Sequence, residues 1–160
     1  MKTKSFSEMQ CSIARTLDHV GYWWSLLIIR DAMMGARRFK HFQENLGIAK
    51  NTLTSRLNDL IEGGIIKKVP ADDGSAYDEY RLTDRGRDLS PVIIALAQWG
   101  DKWVAHEEGP STVITDKETG ERLSRVWPRR EAGDLVELHE IGMRRANGAP
   151  PKVWHQEKED

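Results

Sequence analysis

The sequence predicts an α+β fold: four helices, then a β-hairpin, then a long helix, with a small β-rich extension behind it. Three observations carry this expectation. Between Lys50 and Glu62, Leu53, Leu57, Leu60 and Ile61 recur at i, i+4, i+7 and i+8, the stripe of an amphipathic helix. Directly after Gly63 and Gly64, two short strand-like runs, Ile65–Val69 and Tyr77–Leu82, flank Pro70-Ala-Asp-Asp-Gly-Ser75, a stretch of turn formers. Beyond Thr83, the residues Leu89, Val92, Ile93, Leu96 and Trp103 fall at helical spacing.

The remaining elements follow in order. Ser12 to Val20 reads as a short helix ended by Gly21. Ser25 to Met34 is apolar nearly all round (Leu26, Leu27, Ile28, Ile29, Met33, Met34), as in a buried helix, and Gly35 closes it. Arg38 to Asn45 forms a third helix with Phe39, Phe42 and Leu46 in register, broken by Gly47. Thr83 is suited to cap the helix after the hairpin, where Pro91 marks a kink or a restart. In the extension, Ser111–Thr115 and Arg122–Trp127 flank a turn at Asp116–Gly120, and Leu135–Ile141 reads as a strand or a short helix. The organisation expected is a flexible N-terminus (1–10), a helix-turn-helix and hairpin domain (11–103), the β-rich extension (104–146) and a disordered tail (147–160).

Composition narrows the function classes. At 160 residues, 39% hydrophobic and 31% charged, the chain can bury a core unaided. No apolar run approaches the ~20 residues that cross a bilayer, and Met1–Met9 lacks the apolar centre of a signal peptide. A single cysteine forbids an intrachain disulfide, so a cytoplasmic location is expected. His19, His41, His106, His139 and His155 are scattered, with no ligand spacing for a metal. No glycine-rich phosphate loop or serine elbow is present, so neither an enzyme nor a cofactor is expected. Net charge is only −1, but it is segregated: residues 30–68 sum to +4, whereas residues 104–160 sum to −3.

A helix followed at once by a hairpin is the arrangement of a winged helix-turn-helix. The outer face of Lys50–Glu62 starts with Lys50, Asn51, Thr52 and Ser55 and has no carboxylate until Asp59. A helix entering a major groove needs small donors and acceptors at its N-terminal end and no acids against phosphates. Base contacts are therefore expected from Asn51, Thr52 and Ser55. Phosphate contacts are expected from Arg37, Arg38, Lys40, Lys50 and Arg56, and wing contacts from Lys67, Lys68 and Arg81. The competing reading for each cation is a solvated surface charge; for Arg38 it is a cap or ion pair within the fold.

Five stretches resemble one family closely: Cys11-Ser-Ile-Ala-Arg-Thr-Leu17, Trp24-Ser-Leu-Leu-Ile-Ile-Arg-Asp31, Gly35-Ala-Arg-Arg-Phe39, Asn51-Thr-Leu-Thr-Ser-Arg-Leu57 and Tyr80-Arg-Leu-Thr-Asp-Arg-Gly86, with Trp99-Gly100 completing the set. Together they are similar to the HxlR-type bacterial transcriptional regulators, relatives of the MarR group, over residues 11–103. The resemblance implies a homodimer on a pseudo-palindromic operator, held by the first helix and the long last helix. Ile93, Leu96, Trp99 and Trp103 would form its interface, with the domain's own core as their alternative place. Some longer members carry cysteine pairs in the extension; this chain has none, so no zinc is expected there. Cys11 matches the position through which several members sense oxidants or electrophiles, and a helix N-terminus favours the thiolate; its alternative role is a small buried residue at the dimer seam. Two further functions are open: an aromatic-ligand sensor with a pocket among Trp23, Trp24, Trp99 and Trp103, and a winged helix that binds only protein.

Overall fold

The structure, a computed structural model, describes residues 5–104, 106–110 and 112–143. The expected tail from Asn147 and the first four residues lie outside the described residues. Among the described residues, six α-helices and one hairpin form in the order α1 (Ser12–Val20), α2 (Trp23–Met33), α3 (Phe39–Leu46), α4 (Lys50–Glu62), β1 (Ile66–Val69), β2 (Glu79–Leu82), α5 (Asp84–Arg87) and α6 (Ser90–Trp103). The chain divides into two compact units, Met1–Ser124 and Arg125–Asp160.

The core of the first unit is the meeting of the apolar stripes. Ile28 and Ile29 of α2, Phe42 of α3, Leu53, Leu57 and Leu60 of α4, and Ile66 of β1 are all fully buried. Tyr80 of β2 stands edge-on to Phe42, with ring centroids 6.2 Å apart. Thus α2 is the central helix, and α4 lies against it with its polar face outward.

Backbone chemistry sets the boundaries. After α4, Gly64 takes the left-handed conformation (φ 66°), which lets the Ile65 amide return to the Leu60 carbonyl at 2.9 Å. The Ile65 carbonyl accepts from the Thr83 amide at 3.0 Å, and the Thr83 hydroxyl donates to the neighbouring Gly64 carbonyl at 2.6 Å. Ile65 therefore joins the end of α4 to the start of α5, and the strand begins one residue later than expected. β1 and β2 pair antiparallel, with Lys67 opposite Arg81 and Lys68 opposite Tyr80. β2 begins at Glu79, because the Tyr77 carbonyl is taken by the Arg38 guanidinium at 2.6 Å and not by the ladder. Thr83 caps α5, its hydroxyl accepting from the Gly86 amide at 3.1 Å. That helix stops after four residues, and α6 restarts with Pro91 in its first turn. Of the two expectations for Pro91, the restart is the one found.

Further along this unit, the expected turn at Asp116–Gly120 forms, but as a single bridge between Thr115 and Arg122 and not as a ladder. Asp116 organises it by accepting from the Thr119 amide, the Thr119 hydroxyl and the Glu118 amide. These bonds, the Thr119 amide first, hold its carboxyl below the usual range. The second unit folds around the Trp127 indole, which donates to the Val136 carbonyl at 2.7 Å, and around a bridge between Arg129 and Leu135. Leu138–Glu140 is a turn of 3-10 helix, which resolves the strand-or-helix alternative there.

Candidate nucleic-acid interface

The interface is built from α4 outward. With Leu53, Leu57 and Leu60 buried, the helix presents Lys50, Asn51, Thr54, Ser55, Asn58 and Glu62 to solvent. Asn51 and Ser55 are thus exposed as expected, whereas Thr52 is half-buried at the edge. Thr54 turns back to donate to the Lys50 carbonyl at 2.9 Å. Asn58 shares the exposed face, one turn below Ser55. It went unselected in the sequence because its neighbour Asp59 marked the acidic half of the helix. The helix starts from Ala49 with no side-chain cap and no acid in its first turn. Its first amides and dipole therefore face outward beside the Lys50 ammonium, a setting that favours an anion.

The cations divide into two groups. The arginines are committed within the fold. Arg37 donates to the Ala32 and Ala36 carbonyls at 2.7 and 2.9 Å and closes the end of α2. Arg38 grips both Asp73 oxygens at 2.9 Å, donates to Tyr77 and lies 3.6 Å from Glu79. Its rival reading, a partner inside the fold, describes its place here. Arg81 is held by Glu79 at 2.9 Å and by Asp72, and these two carboxylates, Asp72 first, raise its pKa further. Arg56 lies flat on the Tyr22 ring, 3.9 Å from its centroid, with only 18% of its side chain exposed. Its Nη1 is 3.0 Å from Asp59 Oδ2, in a geometry too bent for a hydrogen bond, so charge alone holds that pair. The lysines are different. Lys40 reaches only Glu44, at 3.5 Å on the surface, and Lys50, Lys67 and Lys68 are exposed with no carboxylate partner among the described residues.

Asp73 is the electrostatic centre of the wing loop. The Ser75 amide and hydroxyl, then the Arg38 guanidinium, lower its pKa from 3.8 to about 2. Two acids at the tip therefore neutralise two arginines, and positive potential is left to the lysines of α4 and β1.

Away from this face, Leu96, Trp99 and Trp103 of α6 are 50%, 56% and 64% exposed. Ile93, grouped with them from the sequence, packs in the domain's own core. Cys11 is exposed at the residue before α1. Among the described residues no cluster could hold a metal, and no helix is long and apolar enough to cross a membrane.

A three-helix core whose outward polar helix is followed by a two-stranded wing defines a winged helix-turn-helix of the transcription-regulator class. Residues 19–108 match the family described as HxlR-like helix-turn-helix, and the chain belongs to that family. It is 44% identical over 110 residues to an uncharacterized HTH-type transcriptional regulator of Mycobacterium tuberculosis, covering 69% of this chain and 70% of the relative. A regulator of the same description from Synechocystis is 34% identical over 106 residues, 66% of this chain and 78% of the relative. Among solved structures, PA1607, a candidate transcription factor, superposes with a TM-score of 0.80 at 38% identity, over 89% of this chain and 99% of that one. The reduced redox regulator HypR superposes with a TM-score of 0.53 at 28% identity, over 57% and 92%. The chain is thus an HxlR-type transcriptional regulator and not an enzyme.

Proposed function

We propose that this regulator acts as a cytoplasmic homodimer that places α4 of each subunit in the major groove of an inverted-repeat operator, with β1 and β2 along the backbone. One observation carries the reading. The exposed row Asn51, Ser55 and Asn58 lies on a helix whose N-terminus is uncapped, free of acids and flanked by Lys50. Asn and Ser at such positions reach base edges, and the two recognition helices of a dimer would sit about 34 Å apart, one turn of duplex. Exposed Leu96, Trp99 and Trp103 supply the apolar seam expected of the dimer. Thr52 flanks the row and contributes at its edge.

Phosphate contacts then fall mainly to Lys50, Lys67 and Lys68, with Lys40 beside them. Arg37, Arg38, Arg56 and Arg81 position the elements that carry these lysines. Selection of bound sequences from random duplex DNA is the direct test, and an inverted repeat is the expected result. Asn51→Ala and Ser55→Ala should change the preferred sequence. Replacing Lys50, Lys67 and Lys68 by Gln should flatten the salt dependence of binding by about 0.9 per lost phosphate contact, ~2.7 per subunit, without changing that preference. If neither Asn51→Ala nor Ser55→Ala alters discrimination, α4 is not the reading element.

A second property, oxidant sensing through Cys11, is favoured by the exposure of that thiol at the start of α1 and by the likeness to the redox regulator HypR. Operator affinity of the wild type should respond to diamide, and Cys11→Ser should remove the response. An unchanged response in Cys11→Ser would assign the sensing elsewhere.

A further inference from the structure

A cleft of about 630 Å³ opens between the N-terminal segment and α1. Its apolar wall is Phe6, Leu17 and Tyr22, and its polar groups are Arg15, Asp18 and His19. The volume is in the usual range for small-molecule sites. None of the four tryptophans considered from the sequence lines it.

Asp18 builds the cleft. Both of its oxygens accept from the Phe6 amide at 2.8 Å, and one also accepts from the Ser5 hydroxyl at 2.9 Å. The N-terminal segment is thereby pinned beside α1, and the carboxylate is largely saturated. Arg15 is in the opposite condition. It donates to the Met9 carbonyl at 3.0 Å and weakly to Ser12 at 3.5 Å, and it has no carboxylate within ion-pair reach among the described residues. A guanidinium has five N–H donors, so most of its capacity is unspent. A cation with spare donors beside aromatic and aliphatic walls is complementary to a flat aromatic ring bearing a carboxylate.

The cleft also reaches the middle and the C-terminal end of α4. The Tyr22 ring that closes it is the ring on which Arg56 lies. His19 stands against Gly63, the residue that ends α4, its Nδ1 3.4 Å from where a Cβ would project. A ligand that reorients Tyr22 must disturb Arg56, and with it Ser55, whose hydroxyl oxygen accepts from Arg56 Nη2 at 3.0 Å on the exposed face of α4.

We propose that this cleft is an effector site for a small aromatic carboxylate and that the Tyr22–Arg56 stack relays its occupancy to α4. The site stands on its own geometry; the relay rests on the DNA-binding reading above. The probe is 2-naphthoate, titrated by calorimetry into the full chain, with 2-naphthalenemethanol as its neutral counterpart. Naphthoate should bind one per chain, at least tenfold more tightly than the alcohol. Arg15→Gln, checked by circular dichroism for a native fold, should bring naphthoate down to the level of the alcohol, while Arg15→Lys should keep part of the preference. Equal binding of acid and alcohol, no binding of either, or no effect of Arg15→Gln would overturn the site. In the DNA arm, naphthoate should shift wild-type operator affinity at least threefold. Arg56→Gln should bind naphthoate normally yet lose that shift. Naphthoate binding with no shift in the wild type overturns the relay alone. A protein that binds no duplex refutes the DNA-binding reading and the relay with it, while the titration still decides the cleft.

Discussion

Gly86→Ala tests the junction that holds the wing to the helices, because two physical rules predict opposite signs. Gly86 lies inside α5, and alanine in place of glycine in a helix is worth about 0.5–1 kcal/mol in the mutant's favour. Packing argues the reverse. A Cβ built on Gly86 would lie 2.2 Å from the Ile65 carbonyl oxygen and 3.1 Å from Leu82 Cδ2. That carbonyl cannot simply retreat, since it accepts from the Thr83 amide at 3.0 Å, while the Thr83 hydroxyl holds the neighbouring Gly64 carbonyl at 2.6 Å. Relieving the clash takes a shift of about 1 Å, which stretches those bonds and opens the contact of α5 with Ile65 and β2; overpacking of this kind costs about 1–3 kcal/mol, and a lost hydrogen bond adds about 1. The net expectation is a loss of about 2–3 kcal/mol, or about 10 °C in Tm for a domain of this size. Urea and thermal unfolding of wild type and variant measure it. A variant as stable as the wild type, or more so, would show that α5 moves freely and that the geometry argued here is wrong.

Other perturbations separate the remaining ideas. Phe42→Ala removes a fully buried ring that meets α2, α4 and Tyr80, and should cost about 3–5 kcal/mol in urea unfolding. The carboxyls of Asp73 and Asp116 are both held below their unfolded value of 3.8, Asp73 to about 2. Their contribution to stability is present above that unfolded value and is lost as pH falls from about 4 toward about 2. Asp73→Asn should therefore make unfolding midpoints less pH-dependent in that window, and an unchanged acid limb would remove Asp73 from the account. Trp99→Glu with Trp103→Glu should convert the proposed dimer to a monomer in analytical ultracentrifugation, with thermal stability nearly kept because both rings are more than half exposed.

Much of the fold is written locally. The stripe of α4 and the glycines after it define that helix to the residue at both ends, because an amphipathic period and a left-handed stop are properties of neighbours in sequence. The turn at Asp116–Gly120 is equally local, set by an aspartate that bonds amides two and three residues ahead. Boundaries that depend on a distant partner shifted. β2 starts late because Arg38 captures the Tyr77 carbonyl, 39 residues away in the chain. β1 starts one residue late for a local reason, because the Ile65 amide returns to the Leu60 carbonyl at the end of α4.

The same division runs through the functional face. The sequence by itself determined which helix carries small polar groups outward, since burial of Leu53, Leu57 and Leu60 leaves Asn51, Ser55 and Asn58 no other direction. It also showed where positive charge accumulates. Only the tertiary structure decided which of those charges are uncommitted. An arginine's fork can be matched by any carboxylate that folding brings within reach, and Asp72, Asp73 and Glu79 meet Arg38 and Arg81 at a hairpin whose turn is legible in the sequence but whose side-chain partners are not. Arg56 is drawn onto Tyr22 by the packing of α4 against the start of α2. Lys50, Lys67 and Lys68 keep their charges unpaired because no carboxylate among the described residues is folded toward them. The recognition helix was therefore legible in one dimension, but the cations beside it acquired their roles in three.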